Sequence, residues 1–535
     1  MAFLTRTHSV GLAALALGLG VFLSRILGLV RDKIISYYFG AGPEADIYFA
    51  AFVVPDFLNY LMAGGYFSIT LVPLLSLAHA EDGQEGAQNF FSAAVCWAAL
   101  GITVLTGAAW AAAPLLAPLV APGFSPEATA RLTSFLRIIL PAQACFLPGA
   151  CFTALLYYRR QFTIPALSPL VYNLCIITGG LVFCYLSPER GMEGFCWGVL
   201  AGAFCGGLLL PVLAVRAGGL LFKPCLVHPR LKELLFLALP LMLGQSIVAL
   251  DEQFVRIFGS LAGEGGVSLL NYARRIMMVP VGVVAQAGGL AAYPFLAALA
   301  ASGDREKFAR SLRAAAGNIL LVAVPLTIWM QTAAWVIMRL IFRQGSFSAA
   351  DATQSGLLLC IMLIAVPALA LQQIVGRAFY AHRDTLSPAL IGSLVTLLVL
   401  PVYLLGAQKA GAAGVAASGV LGGILYACLL CRRLRGKVGI SLMDAETDLS
   451  RGVLGQSLTA LACSLPAACA SLGAIFCLDA FCPSETVSGA ALRVLASASA
   501  FALFYLICAR RFAPFLLGPL NELVQKAQKK IRRHP

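Results

Sequence analysis

Arg25, Arg31, Asp32 and Lys33 fall within one long apolar stretch that begins at Val10. Asp251, Glu252 and Arg256 interrupt a second such stretch, Arg274 and Arg275 a third, and Gln372, Gln373 and Arg377 a fourth. Asp46 and Asp56 bracket the start of another, with Asn59 one turn further on. An ionisable group at membrane depth costs several kcal/mol unless it faces a polar cavity or a partner, so each is a functional candidate. Arginine dominates the set. Its planar guanidinium suits bidentate recognition of phosphate, so the chemistry is the holding of an anionic, phosphorylated cargo. Arg25 and Asp32 lie two turns apart and share a helix face, with Arg31 about 120° round from Arg25. A plainer reading competes for any single residue: Arg31 and Lys33 snorkel to an interface, and Glu252 with Arg256 forms a buried structural pair.

The elements that must position these charges are membrane spans. Hydrophobic residues make up 60% of the 535-residue chain and charged residues 12%, where soluble domains run near about 45–50% and 25%. A chain so poor in charge cannot cover a globular surface. A bilayer core takes about 20 apolar residues per helix. Candidate spans fall near 10–38, 46–78, 88–113, 132–158, 165–186, 194–215, 234–258, 268–300, 315–338, 354–381, 388–406, 411–431, 454–476 and 490–511. The fold class is thus an all-α polytopic membrane protein of about 14 transmembrane helices, numbered here as spans 1 to 14.

The net charge of +14 first suggests nucleic acid. The placement of the cations argues against that partner and for a membrane surface. With both termini cytoplasmic, roughly 24 Lys and Arg lie in inner segments and about 6 in outer ones (Arg131, Arg190, Arg339, Arg343, Lys409 and Arg493), the bias that orients multi-span proteins. The basic tail is placed to touch anionic lipid.

A repeat organises the spans. Val54-Pro55, Ala63-Gly64-Gly65 and Pro73 recur as Val279-Pro280, Ala287-Gly288-Gly289 and Pro294. Gly123-Phe124-Ser125 recurs as Ser346-Phe347-Ser348, and Tyr157-Tyr158-Arg159-Arg160 as Tyr380-Ala381-His382-Arg383, each at an offset of 223. Six spans per copy is an even number, so the copies run in the same direction. The pattern predicts a six-helix bundle over 1–220, a second over 221–440, and an appended pair, spans 13 and 14, with a basic tail over 441–535. Two facing bundles suit alternating access. The paired glycines are candidate bend points, with close packing as the competing role.

The sixteen cysteines lie mostly in apolar runs and read as small hydrophobes, with no C-x-x-C pair or cysteine–histidine cluster at metal-ligand spacing expected. Cys477 and Cys482 flank a short outer loop and are placed to pair. The apolar run from Val10 continues past Leu23 with no small-residue cleavage site, which predicts a retained first span.

The string Ser24-Arg25-Ile26-Leu27-Gly28-Leu29-Val30-Arg31-Asp32, followed by Phe39-Gly40-Ala41-Gly42 and Asp46, closely resembles the MurJ/MviN family of lipid II flippases. These belong to the multidrug/oligosaccharidyl-lipid/polysaccharide exporter superfamily. Ala121-Pro122-Gly123-Phe124, Ile164-Pro165-Ala166 with Asn173, Tyr272-Ala273 with Arg275, and Arg377-Ala378-Phe379-Tyr380 with Asp384 extend the resemblance over nearly the whole chain. It implies a transporter rather than an enzyme, moving undecaprenyl-pyrophosphate-linked peptidoglycan precursor between leaflets of the bacterial cytoplasmic membrane. It further implies that Arg25, Arg31 and Arg275 line the cavity and engage pyrophosphate, while spans 13 and 14 form a groove for the lipid tail. The chain also departs from the pattern. Asn59 stands where the family has an arginine, Gly64 where it has a glutamate, and Arg274 and Met278 where it has acidic residues.

The expected site is therefore Arg25, Arg31 and Arg275 clamping pyrophosphate with Asp32 orienting the span 1 arginines, joined by Arg274, Asn59, Asp46 and Arg256. Asp251 with Asp384 is a candidate cation site. No cofactor or metal is expected, and the cycle draws on membrane potential or a coupled monovalent cation. The expected partners are the lipid-linked pyrophosphate, membrane lipids and other cell-wall synthesis proteins. Two readings within transport compete, a flippase for another lipid-linked oligosaccharide and a drug/cation antiporter. A membrane glycosyltransferase is disfavoured, because no acidic or histidine-rich loop stands ready to supply a base or metal site.

Overall fold

The computed structural model describes residues 10–62, 66–219, 224–440, 442, 452–481 and 486–517, with the side chains of 239–252 and some others outside the described set. Gly64, Gly65, Cys482 and the basic tail beyond 517 therefore lie outside the described residues. Among those described, every regular element is helical. Nine helices there are long and apolar enough to cross a membrane, or up to ten when one bent pair counts as a single span. Two of the nine, Thr70–Ala111 and Leu386–Lys437, run to 42 and 52 residues. At about 1.5 Å per residue each is roughly twice the bilayer core. Each is broken at a glycine in the left-handed region, Gly83 (φ 67°) and Gly411 (φ 56°), so each holds two spans. Helices Val10–Phe39 and Leu231–Gly259 match spans 1 and 7 in length and carry the intramembrane charges. The helices are consistent with the fourteen spans expected.

Packing gathers the chain into two units, Met1–Ser268 with Gln344–Phe347, and Leu269–Arg343 with Ser348–Pro535. Span 7 packs within the first unit, against Val53–Met62 and Tyr66–Ala111, whereas the repeat places it after residue 220. The repeat follows chain order and the units follow packing.

In the first unit, a stripe of small residues sets a close helix pair. Gly194, Gly198, Gly202 and Gly206 recur every fourth residue, on one face of span 6. A Cβ at Gly198 would meet the Cys175 carbonyl at 2.7 Å, and one at Gly202 the Tyr172 carbonyl at 2.7 Å. Backbones come this near only where side chains are absent, the usual device for helix pairs in lipid. Phe90, Phe91, Leu75, Leu155 and Leu156 fill a core between spans 2, 3 and 4. At one end of the unit, Arg131 binds Glu44 at 3.1 Å and Glu193 at 2.5 Å, and Arg190 binds Glu193 at 2.7 Å. Arg131 and Arg190, expected only as outer cations, thus tie three helices together.

In the second unit, helices Val453–Phe481 and Val487–Phe512, spans 13 and 14, pack on each other and on Arg305–Phe342. Trp329 donates to Ser497 at 3.3 Å, and Thr332 bonds Ser471 at 3.0 Å. Arg493 is fully buried and paired with Asp479 at 2.8 Å, so this cation is structural. Gly288 is a packing glycine, since a Cβ there would meet Ile319 at 2.8 Å. The helical irregularity of span 8 lies just before it, in the π-turn Val281–Gln286.

The repeat is written into the turns. Arg160 and Arg383, 223 positions apart, are the two non-glycine residues with positive φ among those described, at 59° and 58°. Each closes the same helix end: Gln161 N–H donates to Leu156 at 2.9 Å, and Asp384 N–H to Phe379 at 3.0 Å. Ser125 and Ser348, at the same offset, cap the helices that follow them. Gly40 and Gly263 share it too, with φ of 60° and 91°. After these turns the units diverge. Arg159 donates to the Gly218 carbonyl at 3.2 Å, whereas in the second unit Asp384 pairs with Lys437 at 2.7 Å.

Candidate functional site

Asp32 is wholly buried and accepts from Arg31 Nε at 3.0 Å and Nη2 at 2.8 Å, both on Oδ1. Adjacent residues point about 100° apart on a helix, but the arginine side chain is long enough to fold back. The carboxylate orients Arg31, while Arg25, expected on the same face as Asp32, is exposed. A guanidinium has five N–H donors, and those of Arg31 that do not face Asp32 make no protein hydrogen bond among the described residues. Buried Tyr48 and part-buried Tyr172 lie within electrostatic reach of the same guanidinium. The Tyr48 hydroxyl is buried without a hydrogen-bond partner among the described residues. Asn173 donates to Ser24 at 3.3 Å and fixes span 5 beside the Arg25 turn.

Span 7 adds a second ion pair. Arg256 Nη1 donates to Asp56 at 2.6 Å and to Gln253 at 3.0 Å. Arg256, expected as an additional positive charge or as the partner of Glu252, is matched in charge by Asp56 on span 2; the Glu252 side chain lies outside the described residues. Asn59 lies one turn beyond Asp56 on the helix Val53–Met62.

Asp46 is nearly fully buried, and both its oxygens are used. Oδ2 accepts from Gly265 N–H and Oδ1 from Ser268 N–H, each at 2.7 Å. It therefore holds the loop after span 7, where exposed helix-start N–H groups favour a carboxylate.

In the second unit, Arg274 and Arg275 are part-buried on helix Gly266–Pro280. Asp384 lies in the turn between spans 10 and 11, where burial opposes ionisation but Lys437 and the Ser387 N–H overcome it and hold the carboxyl at about 2. A lysine ammonium thus meets one oxygen of this candidate cation ligand. Asp251, its expected companion, lies on span 7 with its side chain outside the described residues, as does Glu252. No group of three or more potential metal ligands occurs among the described residues. Cys428 and Cys431 do have C-x-x-C spacing, which corrects the expectation of no such pair, but they sit on one helix with no third ligand among the described residues.

Sequence reasoning marked Arg31, Asp32, Asp56 and Arg256 but not the pairing of the last two, which are 200 residues apart. It missed Tyr48 and Tyr172. Pro165, Pro169 and Tyr172 recur at helical spacing on one face of span 5, and that periodicity was the available signal.

This arrangement, helical spans with paired arginines buried in them, defines a multi-span membrane transporter. The solved structures agree on the fold. A lipid II flippase MurJ in its inward-closed conformation matches with a TM-score of 0.75 at 23% identity, over 92% of this chain and 98% of that one. An inward-facing MATE-family multidrug-resistance transporter of the MOP superfamily matches with a TM-score of 0.64 at 16% identity, over 80% and 98%. A probable lipid II flippase MurJ of Rhizobium meliloti (strain 1021) is 28% identical over 449 residues, 82% of this chain and 83% of the relative. The lipid II flippase MurJ of Burkholderia cenocepacia is 26% identical over 423 residues, 77% and 81%. The model of the lipid II flippase MurJ family matches residues 35–488, and the chain belongs to that family. The family is one of transporters, not enzymes.

Proposed function

We propose that this chain moves lipid II, the lipid-linked pyrophosphate precursor of peptidoglycan, from the inner to the outer leaflet of the bacterial cytoplasmic membrane by alternating access. Family membership across residues 35–488 supports the cargo. The observation that carries the site is the Arg31–Asp32 pair: a buried carboxylate fixes a guanidinium whose other donors make no protein hydrogen bond among the described residues. In this reading Arg31, with Arg25, Arg274 and Arg275, engages the pyrophosphate. Asp46 and the Asp56–Arg256 pair hold the helices that present it, and Asn59 contributes an uncharged contact. The two six-span repeats, 1–220 and 221–440, rock about the cargo. Both termini are cytoplasmic, as the cation distribution requires. Resetting a charged cavity draws on membrane potential or a coupled monovalent cation.

Depletion of the protein in cells tests the cargo. Precursor accumulating in the inner leaflet, with rescue by the intact chain, is the expected result. Normal precursor turnover during depletion would sink the reading. A second reading, a flippase for another lipid-linked oligosaccharide, draws on Asn59 and Arg274, which alter the charge pattern of the family. Rescue of an O-antigen flippase mutant, without rescue of a lipid II flippase mutant, would favour it.

A further inference from the structure

The first unit contains a cavity of about 740 Å³ that the arginine cluster does not use. Spans 2, 4, 5 and 6 wall it, largely with apolar groups such as Phe146 and Pro169. Five polar side chains also line it: the hydroxyl of Ser168, which donates to the Ile164 carbonyl at 3.0 Å, the Asn59 amide, and the hydroxyls of Thr153, Tyr157 and Tyr172. None of the last four makes a side-chain hydrogen bond within the protein among the described residues.

That combination restricts the occupant. Polar groups within a lipid-embedded bundle are costly when unpaired, and a hydrocarbon chain would leave all four so. A ligand bearing hydroxyls of its own would satisfy them. Among the described residues no charged side chain lines the cavity, so neither a pyrophosphate nor an organic cation finds a counter-charge among them. Phe146 meets Tyr172 edge-to-face at 5.7 Å, which locks a broad aromatic wall. Such a wall suits the apolar face of a sugar ring, and the volume lies within the range of small-ligand pockets, about 300–1,000 Å³. The cavity also adjoins the anion site, since Tyr172 lies within electrostatic reach of both Arg31 and Asp56.

We propose that this cavity is the subsite for a neutral, hydroxyl-bearing sugar of the headgroup, whose pyrophosphate rests on Arg31. The proposal rests on the lipid-linked pyrophosphate reading above. Asn59 and Tyr172 would then be specificity residues: they recognise what hangs from the pyrophosphate rather than its charge.

Binding to purified protein in nanodiscs tests it, with two probes: lipid II, and undecaprenyl pyrophosphate without sugar. The wild type should favour the sugar-bearing probe by about tenfold, the value of one or two hydrogen bonds. Thr153→Val, a nearly isosteric change, should reduce that preference several-fold and leave binding of the bare pyrophosphate lipid unchanged. Tyr157→Phe, at the exposed rim, should weaken the preference in part, which guards against a misfolded variant. An unchanged preference in both variants, or equal weakening of both probes, would overturn the subsite. Equal wild-type affinity for the two probes would overturn the subsite alone, whereas failure to bind either would overturn the functional reading as well.

Discussion

Arg256 on span 7 reaches Asp56 on span 2 at 2.6 Å, joining helices whose charges lie 200 residues apart in the chain. Both side chains are largely shielded, at 17% and 32% exposed. Removing one partner leaves the other poorly solvated, so Asp56→Asn should cost about 1–3 kcal/mol. The double variant Asp56→Asn with Arg256→Gln should cost less than the sum of the single changes, with a coupling of about 1 kcal/mol. Thermal unfolding in detergent reads both quantities. Additive effects would show that the contact is incidental.

The Arg160 and Arg383 turns make a different prediction. An L side chain at φ near 60° carries strain that glycine does not. Arg160→Gly and Arg383→Gly should each raise stability, by about 0.5–1 kcal/mol. Arg160→Val should lower it, because a β-branched residue fits the left-handed region worst. Equal effects of glycine and valine in a thermal melt would contradict the repeated turn.

Gly198 and Gly202 test the glycine stripe. Gly198→Leu drives a side chain into the Cys175 carbonyl region, which no rotamer relieves. The expected loss is about 3 kcal/mol or failure to accumulate. Gly219, with open space around its Cβ position, is not a fair control because its φ is 79°, so Gly107→Ala, with neither constraint, should be neutral.

The Asp384–Lys437 pair predicts a pH dependence. An aspartate in an unfolded chain titrates near about 3.9, and here the carboxyl is held at about 2. A depressed carboxylate contributes stability that is fully present above the unfolded value and is lost as pH falls through the folded one. The stability difference between wild type and Asp384→Asn should therefore be constant at neutral pH and shrink between about pH 4 and pH 2. A difference unaltered over that window would show that the pair does not stabilise the turn.

The sequence made much of this legible because membrane chemistry is strict. Apolar length located the spans, and the offset of 223 marked the strings that hold Arg160 and Arg383, though not the left-handed turns they make. Arg31 and Asp32 were marked by their cost at depth. Their mutual pairing was not, since helical geometry favours Arg25 as the partner on the same face and only the folded rotamer decides. Asp56–Arg256 was hidden because no local pattern links residues 200 apart. Arg493 looked like a loop cation and is a buried one, since Asp479, its partner, lies on the preceding helix. The polar cavity was unreadable for the same reason: Asn59, Thr153 and Tyr172 meet only when spans 2, 4 and 5 pack.

The central claim is that Arg31, fixed by Asp32, holds the pyrophosphate of a lipid-linked cargo. Growth of a strain depleted of its own lipid II flippase tests it most directly, with wild type, Arg31→Ala and Arg433→Ala supplied at equal membrane levels. Arg433 is an exposed cation near the end of its helix and serves as the control; Arg159, which bonds the Gly218 carbonyl, would not. The account predicts rescue by wild type and Arg433→Ala and none by Arg31→Ala. Full rescue by Arg31→Ala would contradict it.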